Sequence, residues 1–287
     1  MQYKLFKDYR DDIKKQLEDL KVIYTDLDGT LLNHEGCLLR DENGEYYLEA
    51  VKQLEKIVKK NVDTVLVSGR NKTQLRFNAQ IIGAKNYIAE LGCELIHGLG
   101  ERVYATFDKR KVSYDITYGG KDLLDIIKML KEKFPGKIDS NIKWSKYRSS
   151  TALFFGDIDL KLANILLKER KYRGLHLVDN GFSSLVRLNL DVDKLHIYNL
   201  IPSGVSKSSG VKLDKKLRKF NTENCIALGD SAEDLKMAGE VLFFFLMRNG
   251  LKHKEKILSE LHNYDNVYVT EGNMNKGWAE VIKHLIN

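Results

Sequence analysis

Between residues 3 and 20, the apolar positions Leu5, Phe6, Tyr9, Ile13, Leu17 and Leu20 recur at helical spacing among charged residues. That pattern predicts an amphipathic helix. The segment KVIYTDLDGT follows. Its run Val22 to Thr25 reads as a short buried strand that ends in an acidic turn. A helix is expected near 46–60, a strand in VDTVLVSGR, a helix near 72–82 and a strand in NYIAE. Strands rich in β-branched residues that alternate with helices predict a parallel, doubly wound, Rossmann-like sheet.

After Gly98 the texture changes. RVYATF and VSYDITY read as two neighbouring strands, followed by a helix at 121–133 that ends at Phe134-Pro135-Gly136. IDSNIKW and STALFFG read as two more strands, then a helix at 158–170, then strands in LHLVDN and SLVRLNL. Paired strands with few helices predict an α+β module with a mostly antiparallel sheet. From about Lys194 the alternating texture returns, with a helix at 207–219, a strand in CIALGD and a helix at 232–239. The expected organisation is an α/β core from residues 1–98 and 196–287, with residues 99–195 inserted as an α+β cap domain.

Composition narrows the partners. Charged residues make up 30% of the chain, and the net charge is +7. Such basicity suits either nucleic acid or small anionic substrates. The lysines are dispersed, with no arginine-rich tail and no basic stripe interleaved with aromatics, so nucleic acid is not the expected partner. Cys37, Cys93 and Cys225 stand far apart and form no CxxC pair, which predicts a reducing, cytoplasmic compartment. The N-terminus lacks an apolar signal core, and the longest apolar run, Val241 to Met247, is far too short to span a membrane.

The chemistry concentrates at four points. Asp26 and Asp28 flank Leu27 at the predicted end of a buried strand, before the turn glycine Gly29. Ligands gather at such strand ends in open α/β sheets. Asp26 is placed to act as a nucleophile, and Asp28 to protonate a leaving oxygen and later activate water. Their hard oxygens suit Mg²⁺; the plainer alternative is an Asp-rich turn. Ser68, Gly69 and Arg70 end the next core strand. There a hydroxyl and backbone N–H groups can hold phosphoryl oxygens, or Ser68 can cap a helix. Lys207 lies at a loop-to-helix junction, where it can offset developing charge or sit on the surface. Asp230 follows a strand with Asp234 one turn on; the pair can serve one cation or form a solvated acidic helix start.

Taken in order, DLDGT, SGR, the Lys207 loop IPSGVSKSSGV and GDSAED resemble the haloacid dehalogenase-like (HAD) phosphatases. The insertion between the second and third motifs is similar to the capped, Cof-like subgroup, which includes sucrose-, trehalose- and mannosylglycerate-phosphate phosphatases. The resemblance implies Asp26 as nucleophile and Mg²⁺ ligand. It implies Asp28 as acid and base with its carbonyl on the metal, Ser68 as phosphate-binding hydroxyl, and Lys207 as the bridge between nucleophile and phosphoryl group. Asp230 would be a direct metal ligand, with Asp234 supporting it. Glu233 stands where the subgroup has Asn, and Ser208 where Gly is usual. The expected function is hydrolysis of a small phosphorylated metabolite, with an inserted cap that selects it. A phosphomutase or phosphotransferase using the same Asp26 chemistry, and a non-catalytic phospho-ligand module, are the alternatives. Within the insert, Lys143, Trp144, Lys146, Arg148 and Asn180 are candidates for holding the substrate body, or else parts of an ordinary solvated hairpin.

Overall fold

The structure, a computed structural model, describes residues 3–110, 112–140, 142–182 and 188–286. Its described strands are β1 (Val22–Thr25), β2 (Asp63–Val67), β3 (Asn86–Ala89), β4 (Glu94–His97), β5 (Arg102–Ala105), β6 (Ile138–Asp139), β7 (Ala152–Gly156), β8 (Leu175–Phe182), β9 (His196–Pro202), β10 (Cys225–Gly229), β11 (Phe243–Leu246) and β12 (Val267–Val269). The helices are α1 (Phe6–Gln16), α2 (Glu49–Lys59), α3 (Lys72–Ile82), α4 (Lys121–Lys133), α5 (Ile142–Ser145), α6 (Leu160–Glu169), α7 (Lys207–Arg218), α8 (Ala232–Leu235), α9 (Lys254–Leu261) and α10 (Met274–Leu285).

The larger sheet runs β12-β11-β10-β1-β2-β3-β4-β5. It is parallel from β12 to β3, and β4 and β5 extend it antiparallel. Its central strands are apolar on both faces, as helix cover on both sides requires. Ile23 of β1 packs on one side with α1, α2, α3 and α10 residues such as Phe6, Leu54, Leu75 and Trp278. Val22 and Tyr24 pack on the other with Val211, Leu235 and Ile257. The chain winds outward one way from β1 to β3 and the other way from β10 to β12, so the switch in strand order falls between β1 and β10.

Ahead of α1, Leu5 pairs with Val269, and the Val269 N–H donates to the Lys4 carbonyl (2.8 Å). The residues just ahead of the predicted amphipathic helix therefore pair with the β12 edge, while α1 itself packs on the sheet face beside α10. Phe6 stacks edge-on to Phe245 at 5.2 Å.

The smaller sheet, β6-β7-β9-β8, is antiparallel throughout. One face packs on α4 and α6 through Phe154, Tyr198 and Leu200. The sheets do not divide at the expected residues 99 and 195. Arg102–Ala105 pairs with β4 in the larger sheet, while His196–Pro202 pairs with β7 and β8 in the smaller one. The strand expected in VSYDITY is absent over 112–118. There the backbone turns on itself: the Asp115 carbonyl accepts from Leu123 N, and its carboxylate takes the Thr117 hydroxyl. Local polar bonds of this kind compete with a ladder. IDSNIKW forms only the two-residue β6 before the turn of α5, and its Asn141 lies outside the described residues. The strand expected in SLVRLNL falls largely on 183–187, also outside them, and 188–190 carry no strand. Among the described residues, no helix is long and apolar enough to cross a membrane.

Candidate active site

The site forms where β1, β2 and β10 end side by side. Parallel registry sets Thr25 opposite both Leu228 and Leu66, so Asp26, Ser68 and Asp230 emerge together. The Asp26 N–H donates to the Leu228 carbonyl at 3.0 Å and continues the ladder for one residue. The chain then turns through Gly29 at φ +85°, and a Cβ there would lie 2.4 Å from Asp230 Oδ2. Gly29 is thus required both by its left-handed backbone and by the approach of Asp230.

Three carboxylates, those of Asp26, Asp230 and Asp234, offer oxygens within 4.8 Å of one another. Lys207, the first residue of α7, reaches into this group. Its Nζ lies 2.7 Å from Asp26 Oδ1 and 2.5 Å from Asp234 Oδ1, and the pairs are buried. Ser206 caps α7 in a capping box with Ser209, which fixes where Lys207 leaves the loop.

The electrostatics follow from burial with unbalanced charge. Burial pushes the Asp26 carboxyl up to about 7; Lys207 opposes the shift, while Asp234 and Asp28 add to it. Burial likewise raises Asp230, with Asp26 and Asp234 adding to the shift. Burial works against the Lys207 ammonium, yet Asp234 and Asp26 outweigh it and hold the amine protonated. One cation among three carboxylates, with Asp26 and Asp234 buried and Asp230 half-buried, leaves an excess of negative charge, and an all-oxygen donor set of this kind fits a hard divalent ion. The fit singles out Asp26 and Asp230. Asp234 is the most engaged of the three: Oδ1 takes Lys207, and Oδ2 accepts from Asp230 N, Ser231 N and the Ser231 hydroxyl. Its place is to hold Lys207 and the turn that carries Asp230. Glu233 is ion-paired with Lys236.

The remaining expected residues fall into two sets. Ser68 is buried at the end of β2, and its hydroxyl oxygen accepts from Arg70 N at 3.2 Å. Gly69 continues that loop. The Arg70 side chain grips Asp28: Nε donates to Oδ2 at 2.9 Å and Nη2 to Oδ1 at 2.6 Å, while Nη1 donates to Asn78 Oδ1. A forked guanidinium matches a carboxylate's two oxygens. Asp28 itself is about half exposed, with a side-chain exposure of 48%.

Asn249 belongs to the site and carried no signal in the sequence. Its Nδ2 donates to Asp230 Oδ2 and to the Gly29 carbonyl, both at 2.9 Å, and its Oδ1 accepts from Met274 N. It ties the β1 turn to Asp230. A single Asn in MRNGLKH has no partner spacing that could reveal this.

The smaller sheet's unit closes on the same loop. Arg148 Nη2 donates to the Gly69 carbonyl at 2.9 Å, and Lys72 Nζ donates to the Ser149 hydroxyl at 2.8 Å. Asn180 also lies against Gly69, since a Cβ there would be 2.9 Å from its Nδ2. Lys143, Trp144 and Lys146 are exposed; Trp144, 49% exposed, sets its ring edge-on to Phe155.

A doubly wound sheet with paired aspartates at its switch point, a lysine from a following helix and a second acidic turn defines a class. The chain belongs to the haloacid dehalogenase-like hydrolases, whose family model matches residues 23–267. It is 27% identical over 281 residues to the glucosyl-3-phosphoglycerate/mannosyl-3-phosphoglycerate phosphatase of Persephonella marina, covering 93% of this chain and 97% of that one. It is 26% identical to the 5-amino-6-(5-phospho-D-ribitylamino)uracil phosphatase of Bacillus subtilis, covering 96% and 99%. The fold is shared with the sucrose-phosphatase of Synechocystis sp., solved with sucrose and phosphate, at TM-score 0.62 and 14% identity over 93% of this chain and 98% of that one.

Proposed function

We propose that this hydrolase is a divalent-metal-dependent phosphatase that cleaves the phosphate monoester of a small metabolite through an aspartyl phosphate on Asp26. The observation that carries the reading is the buried Lys207 bridging Asp26 and Asp234 beside Asp230 at the strand ends. The named phosphatase activities of the relatives support it.

In the proposed reaction, an Asp26 oxygen attacks phosphorus and the bond to the leaving alcohol breaks, while Asp28 delivers a proton to the departing oxygen. Water then attacks the aspartyl phosphate, Asp28 takes its proton, and the bond to Asp26 breaks to release inorganic phosphate. Lys207 offsets charge on the transferring group, and the Ser68 hydroxyl holds one of its oxygens. Arg70 orients Asp28. Asp26, Asp230 and the Asp28 carbonyl would hold Mg²⁺, which when bound neutralises repulsion between carboxylate and phosphate.

The smaller sheet's unit is proposed as the cap that selects the ester. Its support is its contact with the Ser68–Arg70 loop and the absence from the strand-end residues of any group that reads a leaving alcohol. A sugar phosphate or related ester is the proposed substrate class, in keeping with the relatives' substrates.

The test is phosphate release by purified protein with Mg²⁺ across a panel of phosphorylated metabolites, with no added acceptor. Wild-type protein is expected to release phosphate and Asp26→Asn none. No release from any ester, or near-normal release by Asp26→Asn, would overturn the reading.

A further inference from the structure

We infer that Arg148, anchored beside Glu90, is a positioning residue for the phosphate-binding loop, so that the smaller sheet's unit completes this loop as well as covering it. The inference rests on the phosphatase reading. Its basis is the fate of three consecutive carbonyls. Ser68 O accepts from Leu91 N at 3.1 Å, Arg70 O from Glu90 N at 3.0 Å, and Gly69 O from Arg148 Nη2 at 2.9 Å. The first two donors come from the turn after β3. The third arrives from a residue 79 positions along the chain, in the other unit.

A planar trans peptide points its N–H opposite to its C=O. Drawing Ser68 O toward Leu91 therefore turns the Gly69 N–H the other way, where it meets no acceptor among the described residues. Drawing Gly69 O toward Arg148 turns the Arg70 N–H onto Ser68 Oγ. With its oxygen already accepting, the Ser68 hydroxyl has its proton left to give to an incoming phosphoryl oxygen. Arg148 thus acts on the phosphoryl group through Gly69 and Ser68, without touching it.

The anchor is built for this placement. Arg148 is 9% exposed and Glu90 0%. Charges so buried are costly unless bonded. The Glu90 carboxylate accepts from Ser149 N (2.9 Å), Ser150 N (3.0 Å) and the Thr151 hydroxyl (2.8 Å), and Thr151 in turn accepts from Arg148 Nη1 at 3.0 Å. Glu90 and Leu91 hold left-handed backbone, φ 53° and 57°, before Gly92 at φ 101°. That turn lets one residue give its N–H to the loop and its carboxylate to the segment that carries Arg148. Gly92 can bear no side chain, because a Cβ would lie 1.9 Å from the carbonyl of Ser206, the cap of the helix that presents Lys207.

The role separates from two plainer ones. A residue that contacts the leaving group would act on natural esters alone; a mere tie between units would lower the melting temperature alone. The experiment compares kcat/KM for p-nitrophenyl phosphate and for the best natural ester, and inhibition by inorganic phosphate, in wild type, Arg148→Ala and Arg148→Lys. Arg148→Ala is expected to lose about 10²-fold on both esters alike, the scale of a small misplacement of a binding group. It should also weaken phosphate inhibition, and millimolar guanidinium should restore part of the activity. Arg148→Lys, which keeps a donor for Gly69 O, should fold as wild type and fall between. Wild-type kcat/KM and phosphate inhibition in either variant, or a loss confined to the natural ester, would overturn the inference while leaving the phosphatase reading intact. A wild-type protein inactive on every ester would overturn that reading first.

Discussion

Replacing Lys207 by Met removes the cation inside the carboxylate group while nearly keeping its volume. The ammonium is bonded at 2.7 Å to Asp26 and 2.5 Å to Asp234, all three side chains buried. Removing one partner of a buried ion pair typically costs about 3–5 kcal/mol, because the remaining charge is left uncompensated. At about 2–4 °C per kcal/mol, metal-free Lys207→Met should melt roughly 6–20 °C below wild type at pH 7. The pH dependence has a definite sign. Asp26 is already raised by burial, and Lys207 is the group that lowers it. Without Lys207 the folded-state value rises further above the unfolded one, so folded protein binds more protons than unfolded and its stability increases as pH falls. The deficit relative to wild type should therefore shrink between pH 8 and pH 5. Mg²⁺ should raise the variant's melting point more than the wild type's, since it replaces part of the missing charge. The assay is thermal unfolding across pH in chelator and in Mg²⁺. Wild-type melting at pH 7 in chelator, or a deficit that grows as pH falls, would refute the argument.

Two further outcomes are expected if the proposed mechanism holds. Arg70→Lys replaces the fork on Asp28 with a single point of contact, so it should slow hydrolysis of alkyl phosphates more than of p-nitrophenyl phosphate, whose leaving group needs little protonation; equal losses on both would count against Arg70 orienting the acid. Trp144→Ala should change relative kcat/KM among natural esters while leaving p-nitrophenyl phosphate turnover nearly unaltered, and parallel changes on all of them would remove Trp144 from substrate selection.

What could be read in the sequence was local. The apolar run Val22–Thr25, the turn glycine and the regular alternation of strand and helix placed Asp26, Ser68 and Asp230 at strand ends before any contact was known. The ends of α3 and α4 were equally legible, because Gly83 and Phe134-Pro135-Gly136 punctuate them. Contacts between distant residues were not legible. HIYNLIP falls on the core side of the expected boundary at 195, yet its partners are β7 and β8. Arg148 reads in the sequence as a candidate for holding the substrate body or as part of a solvated hairpin, and only the fold shows its guanidinium on Gly69 O. Arg70 sits two residues from Ser68 in sequence, but its long side chain turns back to Asp28. VSYDITY has strand-forming residues but gives its backbone N–H groups to local acceptors, Val112 to Asp108 O, Asp115 to the Asp122 carboxylate and Ile116 to Tyr114 O.

The seam between Leu5 and Val269 has a consequence for how the molecule comes into being. Ribosomes deliver the chain from its N-terminus, and Lys4 waits for a partner, Asp265, that lies 261 residues downstream. Until β12 emerges, Leu5 has no strand to pair with and β11 has a row of unpaired backbone groups. Exposed strand edges are where nascent or truncated chains pair with one another. A polypeptide released early, before Val267–Val269, would therefore carry the Asp26 and Lys207 segments without α10, whose Trp278 packs against β1, and with an open sheet margin. Such a fragment is expected to be lost to aggregation, although the residues proposed to carry out its chemistry have all been synthesised.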